Sequence, residues 1–302
     1  MEGALSIVFA LLAAASNALA TVLQRRAART VPVSEHLRLG LAVTLLHRRV
    51  WLGGMAGVIG AAVFQAVALS LGALSVVQPI FVLELPFALL IGGVVLGRRL
   101  SHRCWAGVVC IVVGLGGGLA AAAPSPGTGH PRLGPWVLVL ICCCAAIVAL
   151  VAVALRRPAG AVRASGFGAA SAIGYALTAA LIKEATYAWQ VGGISGFFLA
   201  WQTYAFAVVG VSALFLLENA VQSGPITASQ PALTLGDALV SLSLGVTLYG
   251  EHVRGGWWLL PEVLGAAVVL CGAVLLTSQP LAQSVVAHPR QRQPAARTAA
   301  DS

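Results

Sequence analysis

The sequence predicts an all-α integral membrane protein with about nine transmembrane helices, arranged as an inverted 4+1+4 repeat. Three observations predict it: an apolar composition, a lopsided placement of basic residues between the apolar runs, and an internal repeat.

Composition comes first. Hydrophobic residues make up 59% of the 302 residues and charged residues 9%, with a mean hydropathy of +0.93. So few charges do not cover the surface of a water-soluble domain of this length, so lipid is the expected solvent. The net charge of +9 does not mark a nucleic-acid binder. The basic residues form short clusters between apolar runs, with no basic face and no interleaved aromatic stripe. Cys104, Cys110, Cys142, Cys143, Cys144 and Cys271 all lie inside apolar runs. None has CxxC or Cys/His ligand spacing, so they read as small apolar fillers, and no metal or cofactor is expected. HExxH, GxSxG, paired Asp clusters and a P-loop are missing from the sequence. An enzyme is therefore not expected, nor is ATP as a direct energy source.

The apolar runs place spans near 4–24, 50–72, 75–97, 104–123, 135–155, 165–187, 198–221, 225–249 and 257–277. The segment 30–49, with Glu35, His36, Arg38, Arg48 and Arg49, is too charged to cross and suits an interfacial amphipathic helix. Residues 122–134 form a Pro/Gly loop, and the tail 279–302 is rich in Gln, Pro and Arg and expected to be disordered. Met1-Glu2-Gly3 lacks a basic n-region, so the first apolar run reads as a retained span. With the N-terminus outside, 15 of the 18 Lys and Arg residues fall on the inner side, and Arg132, Lys183 and Arg254 on the outer. That bias orients the chain in the cytoplasmic membrane with its C-terminus in the cytoplasm. Trp51, Trp105, Trp136, Trp257 and Trp258 stand at span starts, as in an aromatic belt.

The third observation is the repeat. Gly72-Ala73-Leu74-Ser75-Val76-Val77-Gln78-Pro79 resembles Gly224-Pro225-Ile226-Thr227-Ala228-Ser229-Gln230-Pro231, 152 residues on. Ala18-Leu19-Ala20-Thr21 to Arg25 matches Ala176-Leu177-Thr178-Ala179 to Lys183, and Gly107 and Gly114 match Gly265 and Gly272, each 158 residues apart. Spans one to four thus correspond to spans six to nine, and the odd offset of five spans inverts the second half. The chain divides into a first repeat (1–123, including segment 30–49), a loop and linker span (124–163), a second repeat (164–278) and the tail (279–302).

The same residues carry a family resemblance. Gly72 to Pro79, Leu96-Gly97-Arg98-Arg99-Leu100 and Leu248-Tyr249-Gly250-Glu251 resemble motifs of the drug/metabolite transporter superfamily, the EamA-like proteins, and more narrowly the bacterial relatives of the NIPA-type magnesium transporters. The resemblance implies a transporter fold and movement of a small solute. The chain departs from the family's Gly-Glu-Arg-Leu-like ending at Arg98 and His252.

Polar residues inside the apolar runs mark the expected pathway. Glu84 and Asp237 lie near the middle of paired spans three and eight, and Glu84 aligns one place before Asp237. A mid-bilayer carboxylate costs about 2.5–3.5 kcal/mol on insertion scales, so both are expected to face the bundle interior. Pro79, Pro86 and Pro231 free backbone carbonyls about one turn earlier. Together with Gln78, Gln230 and Gln65 these make oxygen-rich surroundings suited to a cation or a donor-bearing solute. Asn17, Gln202 and Asn219 read as packing or rim groups, and Lys183-Glu184 as a snorkelling or interfacial pair. The expected function is a secondary transporter using alternating access, with protonation of Glu84 or Asp237 as the coupling event. The alternatives are a divalent-cation (Mg²⁺-type) transporter and a non-transporting membrane accessory protein. The expected partners are the substrate and the lipid bilayer, with room for a homodimer.

Overall fold

The computed structural model describes residues 2–28, 49–95, 97, 99–127, 129, 131 and 133–280. The expected interfacial segment and the expected disordered tail fall almost wholly outside the described residues. Within them the elements are α1 (Glu2–Ala28), α2 (Arg49–Leu71), α3 (Leu74–Ile80), α4 (Glu84–Val95), α5 (His102–Ala122), α6 (Leu133–Leu155), α7 (Ala161–Leu199), α8 (Trp201–Ser223), α9 (Ile226–Tyr249) and α10 (Leu259–Thr277). A 3₁₀ turn, Phe81–Leu83, joins α3 to α4 within the third span. No strand occurs among these residues beyond an isolated bridge between Ser125 and His252.

Among the described residues nine segments are long and apolar enough to cross a membrane. Chains of this kind satisfy every backbone polar group internally, which is why the apolar stretches fold as helices. The protein is thus a multi-pass membrane protein by the length and composition of its helices. Its outer surface fits that solvent. In α6 the side chains of Leu138, Ile141 and Val148 are exposed along one apolar face.

Helix ends follow local chemistry. Ser101 caps α5, its hydroxyl accepting from the Cys104 N–H at 3.2 Å. Gly250 ends α9 in the left-handed region, φ 64°, and Gly97, just past the end of α4, has φ 62°. One expected boundary is corrected. The sixth span does not stop near 187, because helix continues to Leu199 with a break at Gly193, φ 61° and ψ −149°. Of the glycines at 192, 193 and 196 only Gly193 leaves helical geometry, where a Cβ would be strained.

Small residues set the packing. α1 crosses α2 and α7 crosses α8 in extensive contacts. Gly57 lies against the Ser16 carbonyl and Ala20, and Gly174 against Ala213. Ser6 Oγ donates to the Ala68 carbonyl at 2.9 Å and Ser171 Oγ to the Ala213 carbonyl at 2.8 Å. α5 and α10 run antiparallel at backbone distance. A Cβ on Gly114 would sit 2.7 Å from the Gly265 carbonyl, one on Gly265 2.7 Å from the Gly114 carbonyl, and one on Gly272 2.8 Å from the Gly107 carbonyl. Close approach through small residues is the ordinary source of helix association in lipid. One apolar core joins α2, α3, α6, α7 and α9 around Leu69, Leu74, Leu177 and Leu181. A second joins α1, α4, α5 and α10 around Leu89, Ile111 and Leu276.

Trp136 departs from its expected place in the aromatic belt. It is buried and meets the Trp201 ring edge-on at 5.5 Å. Trp105, Trp257 and Trp258 are exposed.

Candidate functional site

The third span tightens into a 3₁₀ turn where its polar residues lie. Pro79, which has no N–H to give, stands in the last turn of α3, and the 3₁₀ turn follows. Gln78 lies just before this turn and Glu84 just after it. Pro86 sits in the first turn of α4, where its missing N–H costs little. Pro231 lies in the second turn of α9, which stays continuous.

Gln78 is the centre of a chain of polar contacts. Gln65 Nε2, on α2, donates to Gln78 Oε1 at 3.4 Å. Gln78 Nε2 donates to Asp237 Oδ1 on α9 at 3.5 Å. Ser241 Oγ, one turn beyond Asp237, donates to the same oxygen at 3.5 Å. These bonds lie at the long limit for hydrogen bonds, so the groups are placed together without being locked. Glu84 is held separately, by side-chain hydrogen bonds from Asn17 and Thr21 of α1. Both carboxylates lie deep among protein atoms, yet each keeps part of its surface accessible. Tyr175 of α7 lies within electrostatic range of both Glu84 and Asp237.

The structure therefore brings together Gln65, Gln78 and Asp237, with Glu84 close by on the other side of the turn. Gln230 lies on the Asp237 face of α9, two turns earlier, and takes no part in these bonds. Asn17, read as a packing or rim group, is a partner of Glu84. Asn219 matches that reading: its amide back-bonds to the Phe215 carbonyl at 2.8 Å. Sequence reasoning missed Thr21, Ser241 and Tyr175. The signals were there: Ser241 is four residues from Asp237 on a helix, and Tyr175 is 158 residues from Asn17, the repeat interval.

A second polar cluster lies at the end of the bundle where α3 begins and α9 finishes. Gly250 turns the chain back so that the Glu251 N–H bonds the Gly245 carbonyl at 3.0 Å. The buried Glu251 carboxylate then caps α3. Its Oε1 accepts from the Leu74 N–H at 2.7 Å, and its Oε2 from the Ser75 N–H at 2.9 Å and the Ser75 hydroxyl at 2.6 Å. A helix start offers free N–H groups and a positive dipole end, so an anion is well placed there. Lys183 Nζ completes the cluster, 3.1 Å from Glu251 Oε1 and 2.9 Å from the Gly72 carbonyl, over the Tyr249 ring at 4.7 Å. A Cβ on Gly245 would press on Glu251 Oε2, so a side chain there would displace the carboxylate. The reading of Lys183 as a snorkelling residue or a partner of Glu184 is thus corrected. Its carboxylate partner is Glu251, 68 residues away.

No group of three or more His, Cys, Asp or Glu side chains converges among the described residues. No family model matches the chain, and no solved structure matches it. The chain is similar to Cgl0250/cg0304, a protein of Corynebacterium glutamicum described as uncharacterized. The two are 30% identical over 259 residues, 84% of this chain and 88% of the other. The chain belongs to the same family as this corynebacterial protein.

Proposed function

We propose that the protein is a secondary transporter of the drug/metabolite type, moving a small cationic or donor-rich solute through the space lined by Glu84 and Asp237. The observation that carries the reading is the meeting of Gln65, Gln78 and Asp237 beside the 3₁₀ turn of the third span, with Glu84 just past that turn. Carboxylates at this depth are costly and functional by default. Transporters hold substrate and coupling ion near the midplane at the interface of their repeats, where helix geometry departs from regular α. The groups named at the site offer two carboxylates, three amides and three hydroxyls and no basic side chain, which suits a solute that brings positive charge or donors.

Alternating access needs two inverted halves, and several contacts support that arrangement. Gly107 meets Gly272 and Gly114 meets Gly265. Each glycine thus touches the repeat counterpart of its own neighbour in the motif, as expected for a two-fold axis in the membrane plane. The α1–α2 and α7–α8 crossings reuse the same small-residue pattern. Asn17 and Tyr175, one repeat interval apart, both approach the carboxylates. The positive charges orient the bundle with Arg25 and Arg26 inside, which puts the Lys183–Glu251 cluster at the outer end. A proton on Glu84 or Asp237 would alternate with the solute.

The test is a thermal-shift screen of the purified full-length protein against monovalent and divalent metal ions, amines and amino-acid-like metabolites. A solute of the expected class raises the melting temperature in wild type, and the shift is lost in Glu84→Gln and Asp237→Asn. Stabilisation by Mg²⁺ alone would favour the divalent-cation alternative. Stabilisation by no solute would leave the non-transporting accessory reading.

A further inference from the structure

We propose that Lys183 and Glu251 form the gate that closes one end of the transport pathway, and that Arg25 and Arg98, at the matching sequence positions of the first half, do not supply the same charge pair. This rests on the alternating-access reading above.

The helices are packed unevenly. α9 lies against α3, and α7 lies against both α2 and α3, so the end carrying the Lys183–Glu251 cluster is closed. Among the described residues α9 has no more than marginal contact with α4, and α1 no more than marginal contact with α8 or α9. These are the pairings that repeat symmetry would require for closure of the other end. Spans three and eight therefore meet at one end and diverge past the Gln78–Asp237 contact. The closed end is covered further by the loop after α5. Ser125 N–H donates to the His252 carbonyl at 3.0 Å, Arg254 N–H donates to the Ala122 carbonyl at 3.0 Å, and Gly127 leaves no room for a Cβ beside the Tyr249 carbonyl.

What holds this end is one buried carboxylate with four donors from two other elements: two backbone N–H groups, the Ser75 hydroxyl and the Lys183 ammonium. Lys183 also bonds the Gly72 carbonyl. It ties α7 of the second half to the α2–α3 connection of the first, while Glu251 ties the end of α9 to the start of α3. A charge pair this enclosed is strong when intact and costly with one partner missing.

The repeat register shows what stands at the mirror positions. Lys183 corresponds to Arg25, 158 residues earlier. Glu251 follows Gly250 as Arg98 follows Gly97, one place off the 152-residue interval, which itself matches Glu251 with Arg99; both glycines have a left-handed φ, 64° and 62°. The attractive pair of the second half is thus replaced in the sequence of the first by two like charges, which cannot make the same latch. The resting protein is expected to favour the state closed at the Lys183–Glu251 end.

Solvent access at that end tests this without any solute. Ala73, buried immediately before α3, is replaced by Cys in full-length protein whose native cysteines are replaced by Ala. Labelling by a water-soluble maleimide is followed in detergent, with melting temperature and elution profile as checks on folding. Labelling is expected to be slow in this background and to rise about tenfold or more with Glu251→Gln or with Lys183→Met. Two folded variants with unchanged labelling would overturn the gate, as would fast labelling in the background protein. Loss of folding in both would make the pair a structural brace and overturn it too. Because no solute enters, a positive labelling result beside a failed solute screen would remove the transport reading and leave the latch standing.

Discussion

Gly265→Leu is expected to prevent α5 and α10 from packing and to yield protein without a monodisperse folded peak. The Cβ alone would stand 2.7 Å from the Gly114 carbonyl and 2.8 Å from Gly118 Cα. These are backbone atoms of a continuous helix, so no rotamer change relieves the clash, and the helices must separate. Separation also undoes the Gly107–Gly272 contact and the core around Ile111 and Leu276. Overpacking typically costs about 1–3 kcal/mol, and a whole leucine between backbones exceeds that, against a total stability of about 5–15 kcal/mol. Gly117→Leu is the control, since nothing lies within 4 Å of its Cβ. Size-exclusion chromatography and thermal denaturation in detergent should show the first variant lost and the second like wild type. Equal behaviour of the two would refute the close α5–α10 contact.

Asp237→Asn is expected to keep or raise the melting temperature while losing solute-dependent stabilisation. Asn retains an oxygen that accepts from Gln78 and Ser241, so the contact chain survives. What disappears is a carboxylate whose placement in a bilayer centre costs about 2.5–3.5 kcal/mol. Residues kept for function at the expense of stability show this opposed pair of effects. A structural Asp237 would behave differently: its replacement would lower the melting temperature, and any solute shift would persist. Thermal denaturation with and without the best solute from the screen separates the two.

Much of the fold is legible in the sequence because lipid imposes one rule on every span. Runs of about 20 apolar residues must be helices, and the expected spans fall within a few residues of the observed ones apart from the long α7. The glycines of α5 and α10 are legible for the same reason, since close approach in lipid needs small residues at fixed spacing. The polar site is partly legible: insertion cost singles out Glu84 and Asp237, and the repeat singles out Gln78. What the sequence hides is contact across long separations. Glu251 reads as a loop residue because its neighbours are polar and glycine-rich. Only folding shows that Gly250 turns it under α9 and onto the start of α3, 176 residues away. Lys183 then reads as a snorkelling side chain because its partner is distant in the chain. Trp136 misleads similarly, since a tryptophan at a span start marks the interface only when lipid, not Trp201, lies beside it. Tyr175 was recoverable in principle, through its repeat interval from Asn17.

The most direct test of the central account is flux through the purified protein in liposomes, using the best solute from the thermal-shift screen and a proton gradient. The account predicts uptake by wild type that collapses to the empty-liposome rate in Glu84→Gln and in Asp237→Asn, with both variants folded and inserted at wild-type levels. Uptake by both variants at the wild-type rate would contradict it.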